Sequence, residues 1–133
     1  MSLSVVYTRA AIGVKAPLIS VEVHLSNGLP GLTLVGLPET TVKEARDRVR
    51  SAIINSGYAF PAKKITINLA PADLPKEGGR YDLPIAIALL AASEQLNTPG
   101  LSSCEFVGEL ALTGALRGVP GAISGALEAI RAG

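Results

Sequence analysis

The chain has 133 residues, of which 48% are hydrophobic and 17% charged. This length and this balance are typical of one folded domain with a single apolar core, and they exclude an intrinsically disordered chain. With 12 Lys and Arg against 11 Asp and Glu, the formal net charge is +1, so bulk electrostatics does not indicate binding to nucleic acid or to a membrane.

Cysteine usage and apolar runs limit the compartment and the chemistry. The single cysteine, Cys104, cannot form an internal disulfide, and we interpret it as a half-buried strand residue in a reducing compartment. The only histidine, His24, is far away in sequence, so neither an activated thiol nor a metal site is indicated. The N-terminus shows no signal-peptide pattern, and the longest apolar run, residues 83–92, is shorter than the roughly 20 residues that span a bilayer. The sequence therefore predicts a soluble, cytoplasmic protein without a membrane partner.

The first part of the chain predicts three strands. Residues 3–13 are apolar and β-branched, and residues 18–25 alternate strictly between apolar and polar positions, which is typical of a half-buried strand. The Asn27-Gly28 dipeptide is a turn signal between two apolar runs. It predicts a hairpin that leads into a third strand at residues 32–38.

A helix is predicted to follow from Thr41. Thr41 and Glu44 have the spacing of a capping box, and Gly57 is the expected stop signal. Apolar residues recur at helical spacing and predict one core-facing stripe. This stripe consists of Val42, Ala45, Val49, Ala52 and Ile53.

The next two elements are a strand and a strongly apolar helix. Residues 63–70 alternate like the second strand. After a glycine-rich loop, Asp82 is predicted to cap a helix over residues 83–96, with Pro84 tolerated in its first turn. Because this helix is apolar nearly all round, it has to be covered on more than one side.

The last part predicts a strand at residues 104–114, a short return strand at 115–119 and a third helix at 120–133. The whole order predicts an α+β fold in one domain over residues 1–133, with helices packed on one mixed sheet. Since the sequence stops inside a predicted helix without a polar tail, we expect it to be a fragment of a longer protein.

A P-loop nucleotide site is not predicted. The pattern G-x-x-x-x-G-K-[ST] wraps phosphates in backbone amides and adds a Lys, but the sequence contains no Gly-Lys dipeptide. The three glycines in residues 28–36 have the wrong spacing for a dinucleotide fingerprint. We therefore expect no ATP hydrolysis by this chain alone.

The loop "KEGGRYD", residues 76–82, allows two interpretations. The amides of Gly78 and Gly79, next to a helix start, could hold an anion, and Lys76 and Arg80 would add positive charge. Alternatively, the glycines supply positive φ angles, and the charged residues pair with one another on the surface. Spacing alone does not decide between a phosphate cradle and a charged connection.

The first helix carries a basic stripe. Lys43, Arg46 and Arg50 fall at i, i+3 and i+7, beside the core-facing side, and Lys63 and Lys64 begin the next strand. These residues could contact nucleic-acid phosphates. On the residues alone, the pattern favours a solvated helix face, in which Glu44 pairs with Arg48 and Lys43 with Asp47.

Three long blocks resemble the amino-terminal domain of the ComM/YifB family, the magnesium-chelatase-like AAA+ ATPases. They are "GLPETTVKEARDRVRSAIINSGY", "KKITINLAPADLPKEGGRYDLPIAIALLAAS" and "GELALTGALRG". The resemblance implies a fold like domain 2 of ribosomal protein S5, which is also the fold of the Lon protease domain. It further implies a following AAA+ module that holds ATP and Mg²⁺, and neighbouring subunits arranged as a hexamer. The role that it implies is in DNA branch migration and natural transformation.

The Lon relationship gives a test of peptidase activity. Lon-type peptidases place a nucleophilic Ser after a Lys-Asp-Gly-Pro turn and a Lys base on a later helix. Here Arg80, or Tyr81 in a shifted alignment, stands where the Ser should be, and Ser124 is near the position of the Lys. Without a hydroxyl and an adjacent base there is no activated nucleophile, so we expect no peptidase activity.

These observations lead to one main hypothesis and two alternatives. The main hypothesis is a non-catalytic accessory domain, without a cofactor of its own, that contacts DNA or couples subunits of an ATP-hydrolysing ring. The alternatives are a purely structural subunit-interaction module and a degenerate Lon-like peptidase. The predicted phosphate contacts are Lys43, Arg46, Arg50, Lys63, Lys64, Lys76 and Arg80.

Overall fold

The computed structural model describes residues 2–12, 15–71, 79–96 and 100–117. The predicted third helix, residues 120–133, and residues 72–78 of the glycine-rich loop lie outside these ranges. The elements, in chain order, are β1 (Ser2–Arg9), β2 (Leu18–Ser26), β3 (Gly31–Val35), α1 (Glu39–Asn55), β4 (Lys64–Ala70), a 3-10 turn (Gly79–Tyr81), α2 (Asp82–Ala92), a second 3-10 turn (Leu101–Ser103), β5 (Glu109–Leu110) and β6 (Leu116–Arg117).

The main sheet has the strand order β1-β2-β4-β3. β2 pairs antiparallel with both β1 and β4, whereas β3 pairs parallel with β4. A mixed sheet with two helices confirms the predicted α+β class. Within the described ranges, neither helix has the length and apolar character to cross a bilayer.

The predicted hairpin between β2 and β3 is wrong, because β4 lies between them. A type I′ hairpin turn needs positive φ at both central residues. Gly28 has φ +146°, but Asn27 is not in the positive-φ region. The chain instead passes from β3 through α1 to β4, and a helical crossover of this kind returns the chain to the same end of the sheet and gives parallel pairing.

Strict alternation in β2 and β4 builds the core face of the sheet, as predicted. Val21 lies opposite Leu69, and Val23 lies opposite Ile67, and all four are fully buried. Each such side chain contributes about 1.5–3 kcal/mol through its removal from water. α2 packs on this face over β1 and β2, and its side chains are buried on most sides, which confirms that this helix is covered on more than one side.

α1 confirms the predicted stripe but not the predicted start. Four of the five stripe residues are buried and Val42 is half-buried. The helix begins at Glu39 with Pro38 as its N-cap, and no side chain caps it, so the capping box of Thr41 and Glu44 is wrong. The Pro38 ring already holds φ at −58°, so the chain enters the helix two residues early. At the other end Gly57, at φ +88°, stops the helix as predicted.

The predicted strand over residues 104–114 is confirmed only at β5, with an isolated bridge between Glu105 and Tyr7. Only β5 and β6 form a short antiparallel pair, and β6 confirms the predicted return strand. The rest of the segment is not in a strand because its backbone bonds elsewhere. The carbonyl of Gly108 accepts a hydrogen bond from Leu83 N–H (3.0 Å), and the amide of Gly108 donates one to the Arg80 carbonyl (3.1 Å). This segment is therefore bonded to the start of α2. Cys104 is exposed and lies outside any strand, which corrects its interpretation as a half-buried strand residue.

Candidate nucleic-acid interface

The exposed cations predicted to contact phosphates lie on two neighbouring elements. Lys43, Arg46 and Arg50 are exposed on α1, and Lys63 and Lys64 are exposed at the start of β4. Lys76 lies outside the described residues. The structure describes these five exposed cations and Arg80.

Three of these cations line one groove of about 460 Å³, which we call the basic groove. Arg46 and Arg50 reach it from α1, because residues four apart share one helix face, and Lys63 reaches it from the segment before β4. The other lining residues are Pro30, Gly31, Leu32, Ile54, Phe60, Pro61, Ala62 and Ile65. Among the described residues, no acidic side chain lines the groove.

Two contacts hold positive charge at this position. The Arg50 guanidinium lies over the Phe60 ring, 5.8 Å from its centroid, a cation–π contact. The Lys63 ammonium donates a hydrogen bond of 3.4 Å to Asn27 Oδ1 in the loop between β2 and β3. The sequence analysis did not predict Phe60 as a residue of this site. Its position between a basic helix and the Lys63-Lys64 pair could have indicated it.

Arg80 does not belong to this exposed set, and its predicted role as a surface phosphate contact is corrected. Its side chain is only 7% exposed, and its Nε donates a hydrogen bond of 3.1 Å to the Arg9 carbonyl. Gly79 lies close to Glu109, because a Cβ there would come 2.6 Å from Oε2 of that side chain. The described end of the glycine-rich loop is therefore packed against the rest of the domain.

Asp82 has a different role from the predicted helix cap. It is the first residue of α2, and no side chain caps this helix. Its carboxylate accepts hydrogen bonds from Arg48 Nε (2.7 Å), Arg48 Nη2 (3.3 Å) and the Leu110 amide (3.1 Å). Burial raises the pKa of Asp82, and this effect outweighs the hydrogen bond from Arg48, which lowers the pKa. Arg48 is thus engaged inside the domain and does not line the basic groove.

A second ion pair joins β1 to the segment before β5. Arg9 donates to both carboxylate oxygens of Glu105, at 2.6 and 2.9 Å, and its Nη1 donates to the Ala16 carbonyl at 2.9 Å. Two-point pairing of this kind fixes orientation as well as charge. Arg9 and Arg48 therefore serve the fold, which leaves Arg46, Arg50 and Lys63 as the exposed cations that line the groove.

Comparison with known proteins places the chain in a family. Residues 21–133 match the family described as "Subunit ChlI of Mg-chelatase". The chain belongs to the ChlI family. Among its relatives are YifB of Salmonella typhimurium, 84% identical over the whole chain, and the competence protein ComM of Haemophilus influenzae, 68% identical over 97% of the chain. A protein of Mycobacterium bovis is 38% identical over the whole chain.

These matches confirm the resemblance to ComM and YifB. The ChlI-family chain spans about a quarter of the length of its curated relatives, 26% of YifB and 25% of ComM. In the part of the ChlI-family chain that the structure describes, His, Cys, Asp and Glu do not gather in threes as a metal site needs.

Proposed function

We propose that this chain is a non-catalytic accessory domain of a AAA+ ATPase of the Mg-chelatase-like family, and that it contacts DNA phosphates during DNA processing. The observation that carries the proposal is the basic groove, which is lined by Arg46, Arg50 and Lys63 and, among the described residues, by no acidic side chain. Such a local cluster is the electrostatic footprint of a phosphate site, even in a chain of small net charge. The fold proposed for it is the S5 domain 2-like, Lon-like arrangement.

Similarity to ComM supports the role in DNA processing. That relative is named a competence protein, and it is 68% identical to this chain. We assign the other activities to the remaining length of such proteins. These are ATP and Mg²⁺ binding, ATP hydrolysis and contact with neighbouring subunits of a hexamer in the cytoplasm.

Salt-dependent DNA binding by the full chain tests this proposal. We expect a labelled duplex to bind at about 50 mM salt and to be released by about 200 mM, because each neutralised phosphate releases counterions. Arg46→Gln should reduce the slope of log K against log salt by about 1. Lys15→Gln is the matched control, since Lys15 is exposed and precedes β2 at the end of the strand away from the groove. Absence of binding at the lower salt concentration contradicts the proposal.

A purely structural subunit-interaction module is the second candidate. Leu112 and Leu116, on the β5–β6 hairpin, are 55% and 62% exposed, and large exposed apolar side chains on one hairpin favour a protein contact. A chain that binds no DNA at low salt but self-associates in sedimentation, and loses this association on Leu116→Ser, is the result that favours this candidate.

A further inference from the structure

The basic groove has an apolar floor that phosphate contacts alone do not require. Five of its large apolar lining residues are not buried. They are Pro30, Leu32, Ile54, Phe60 and Pro61. Ile54 stays 47% exposed, and Leu29, directly before Pro30, is 90% exposed. Large apolar side chains that remain in contact with water around one concave site indicate a partner with apolar faces.

The charges lie where a ligand with both apolar and anionic parts would need them. Arg46, Arg50 and Lys63 are exposed, so their charged groups reach water while the floor is apolar. The Phe60 ring holds the Arg50 guanidinium in place before any ligand arrives, which reduces the ordering that binding requires. A volume of about 460 Å³ lies in the range of sites that hold one small planar group or a few.

We infer that the basic groove binds unpaired nucleotides of single-stranded DNA, with bases on the apolar floor and the Arg50–Phe60 pair, and phosphates at Arg46, Arg50 and Lys63. This inference rests on the proposed function and specifies the form of DNA. Every base has an apolar π-face that can stack on an aromatic ring or a guanidinium plane. A single strand therefore offers both of the surfaces that the groove complements.

The two alternative occupants complement only part of the groove. Duplex DNA presents phosphates, but its base faces are stacked inside the helix, so the floor formed by Leu32, Ile54 and Phe60 would remain in water. An acidic peptide could supply carboxylates and apolar side chains. It lacks the regular spacing of anions and planar rings that three cations around an aromatic ring favour.

The test compares three labelled ligands of the same length, each bound to the full chain at one salt concentration. They are a thymidine oligonucleotide of about 15 residues, its duplex, and an abasic strand of the same length. The two single strands carry the same number of phosphates, and the duplex carries twice as many. We expect the order of affinity to be single strand, then duplex, then abasic strand. Phe60→Leu should lower the affinity for the single strand at least about fivefold and that for the abasic strand much less, because both lose the ordered Arg50 guanidinium but only the first loses stacking.

Two further variants keep the test decisive if Phe60→Leu fails to fold. Arg50→Lys keeps the charge but removes the planar guanidinium, so it should weaken single-strand binding more than abasic binding. Lys15→Gln should change neither. Each chain is checked by circular dichroism before its affinity is compared.

The outcomes separate this inference from the proposed function. If no DNA binds, the proposed function fails. If single, duplex and abasic strands bind equally, the chain is a phosphate-binding domain and the single-strand inference is wrong. Displacement of the thymidine strand by polyglutamate as readily as by unlabelled strand also overturns it, since that result would make the groove a general anion site.

Discussion

The Asp82 carboxylate joins three elements of the domain. Its oxygens accept hydrogen bonds from Arg48 on α1 and from the backbone amide of Leu110 in β5, while Asp82 itself begins α2. The side chain of Asp82 is fully buried, whereas that of Arg48 is 21% exposed. A buried carboxylate is tolerated only with such partners, so the position of α1, and with it the basic stripe, depends on this pair.

The first prediction concerns Arg48→Met. Removal of one member of a buried pair leaves the other without a counter-charge, and we expect the free energy of unfolding at neutral pH to fall by about 3 kcal/mol. Burial already raises the pKa of Asp82 above its ordinary value, and loss of Arg48 raises it further. The contribution of Asp82 to stability is then fully present below its unfolded pKa, about 3.9, and is lost as the pH rises through the folded pKa.

Urea unfolding at about pH 5 and about pH 8 measures this effect, and the deficit of Arg48→Met relative to the parent chain should be larger at the higher pH. The double variant Arg48→Met/Asp82→Asn is the control. It has no carboxyl group to titrate at residue 82, so the deficit should no longer grow with pH. A deficit in Arg48→Met that is independent of pH would show that Asp82 keeps its charge without Arg48.

Among the elements, the connection between β3 and α1 sets the topology. Gly36 lies in this connection at φ +102°, directly against β4, where a Cβ would come 2.4 Å from the Leu69 carbonyl oxygen. A side chain cannot fit there unless the backbone of β3 or β4 moves. Gly36 therefore permits the close approach that lets β3 run parallel to β4.

The second prediction compares Gly36→Ala with Gly57→Ala. Both positions have positive φ, which costs any L-residue about 1–2 kcal/mol. A Cβ at Gly57 meets no atom within 4 Å, so only this conformational cost is expected there. Gly36→Ala should lose at least about 2 kcal/mol more, because it also displaces the Leu69 backbone. Urea unfolding of both variants checks the difference, and equal losses would mean that β4 moves away at little cost.

Local patterns predicted most elements but not how they are connected. The alternation of residues 18–25 and 63–70 identified β2 and β4 and their buried faces, because one face of a sheet must be removed from water. The Asn27-Gly28 signal correctly predicted a turn after β2, but it wrongly predicted that β2 and β3 pair with each other. Which strand lies next to β3 depends on the crossover through α1 and on packing against β4, which a two-residue turn pattern does not contain.

The candidate site was predictable only in part for the same reason. Exposed cations on α1 follow from helical spacing, and two of them do line the groove. Phe60 lies beside these cations only through tertiary packing. Arg80 is buried and not exposed, because the 3-10 turn before α2 packs against the domain. A pattern of charges indicates which cations share a face, but not which of them the fold buries.

At the scale of the whole molecule, charge is distributed unevenly. The formal net charge is only +1, so the proposed attraction of DNA has to come from the local concentration of cations at the basic groove. At about 0.1 M salt, charges act over a Debye length of about 10 Å. Lys15 and the groove lie beyond opposite ends of β2, a strand of nine residues that spans about 30 Å.

The third prediction uses this separation. Arg46→Glu and Lys15→Glu each lower the formal net charge by two, from +1 to −1, but only the first changes the groove. At about 0.1 M salt we expect Arg46→Glu to weaken DNA binding at least about tenfold, whereas Lys15→Glu should change it less than about twofold. At about 0.01 M salt the Debye length grows to about 30 Å, so the effect of Lys15→Glu should increase. Fluorescence anisotropy at both salt concentrations checks this, and equal effects at the higher one would mean that net charge, and not the groove, attracts DNA.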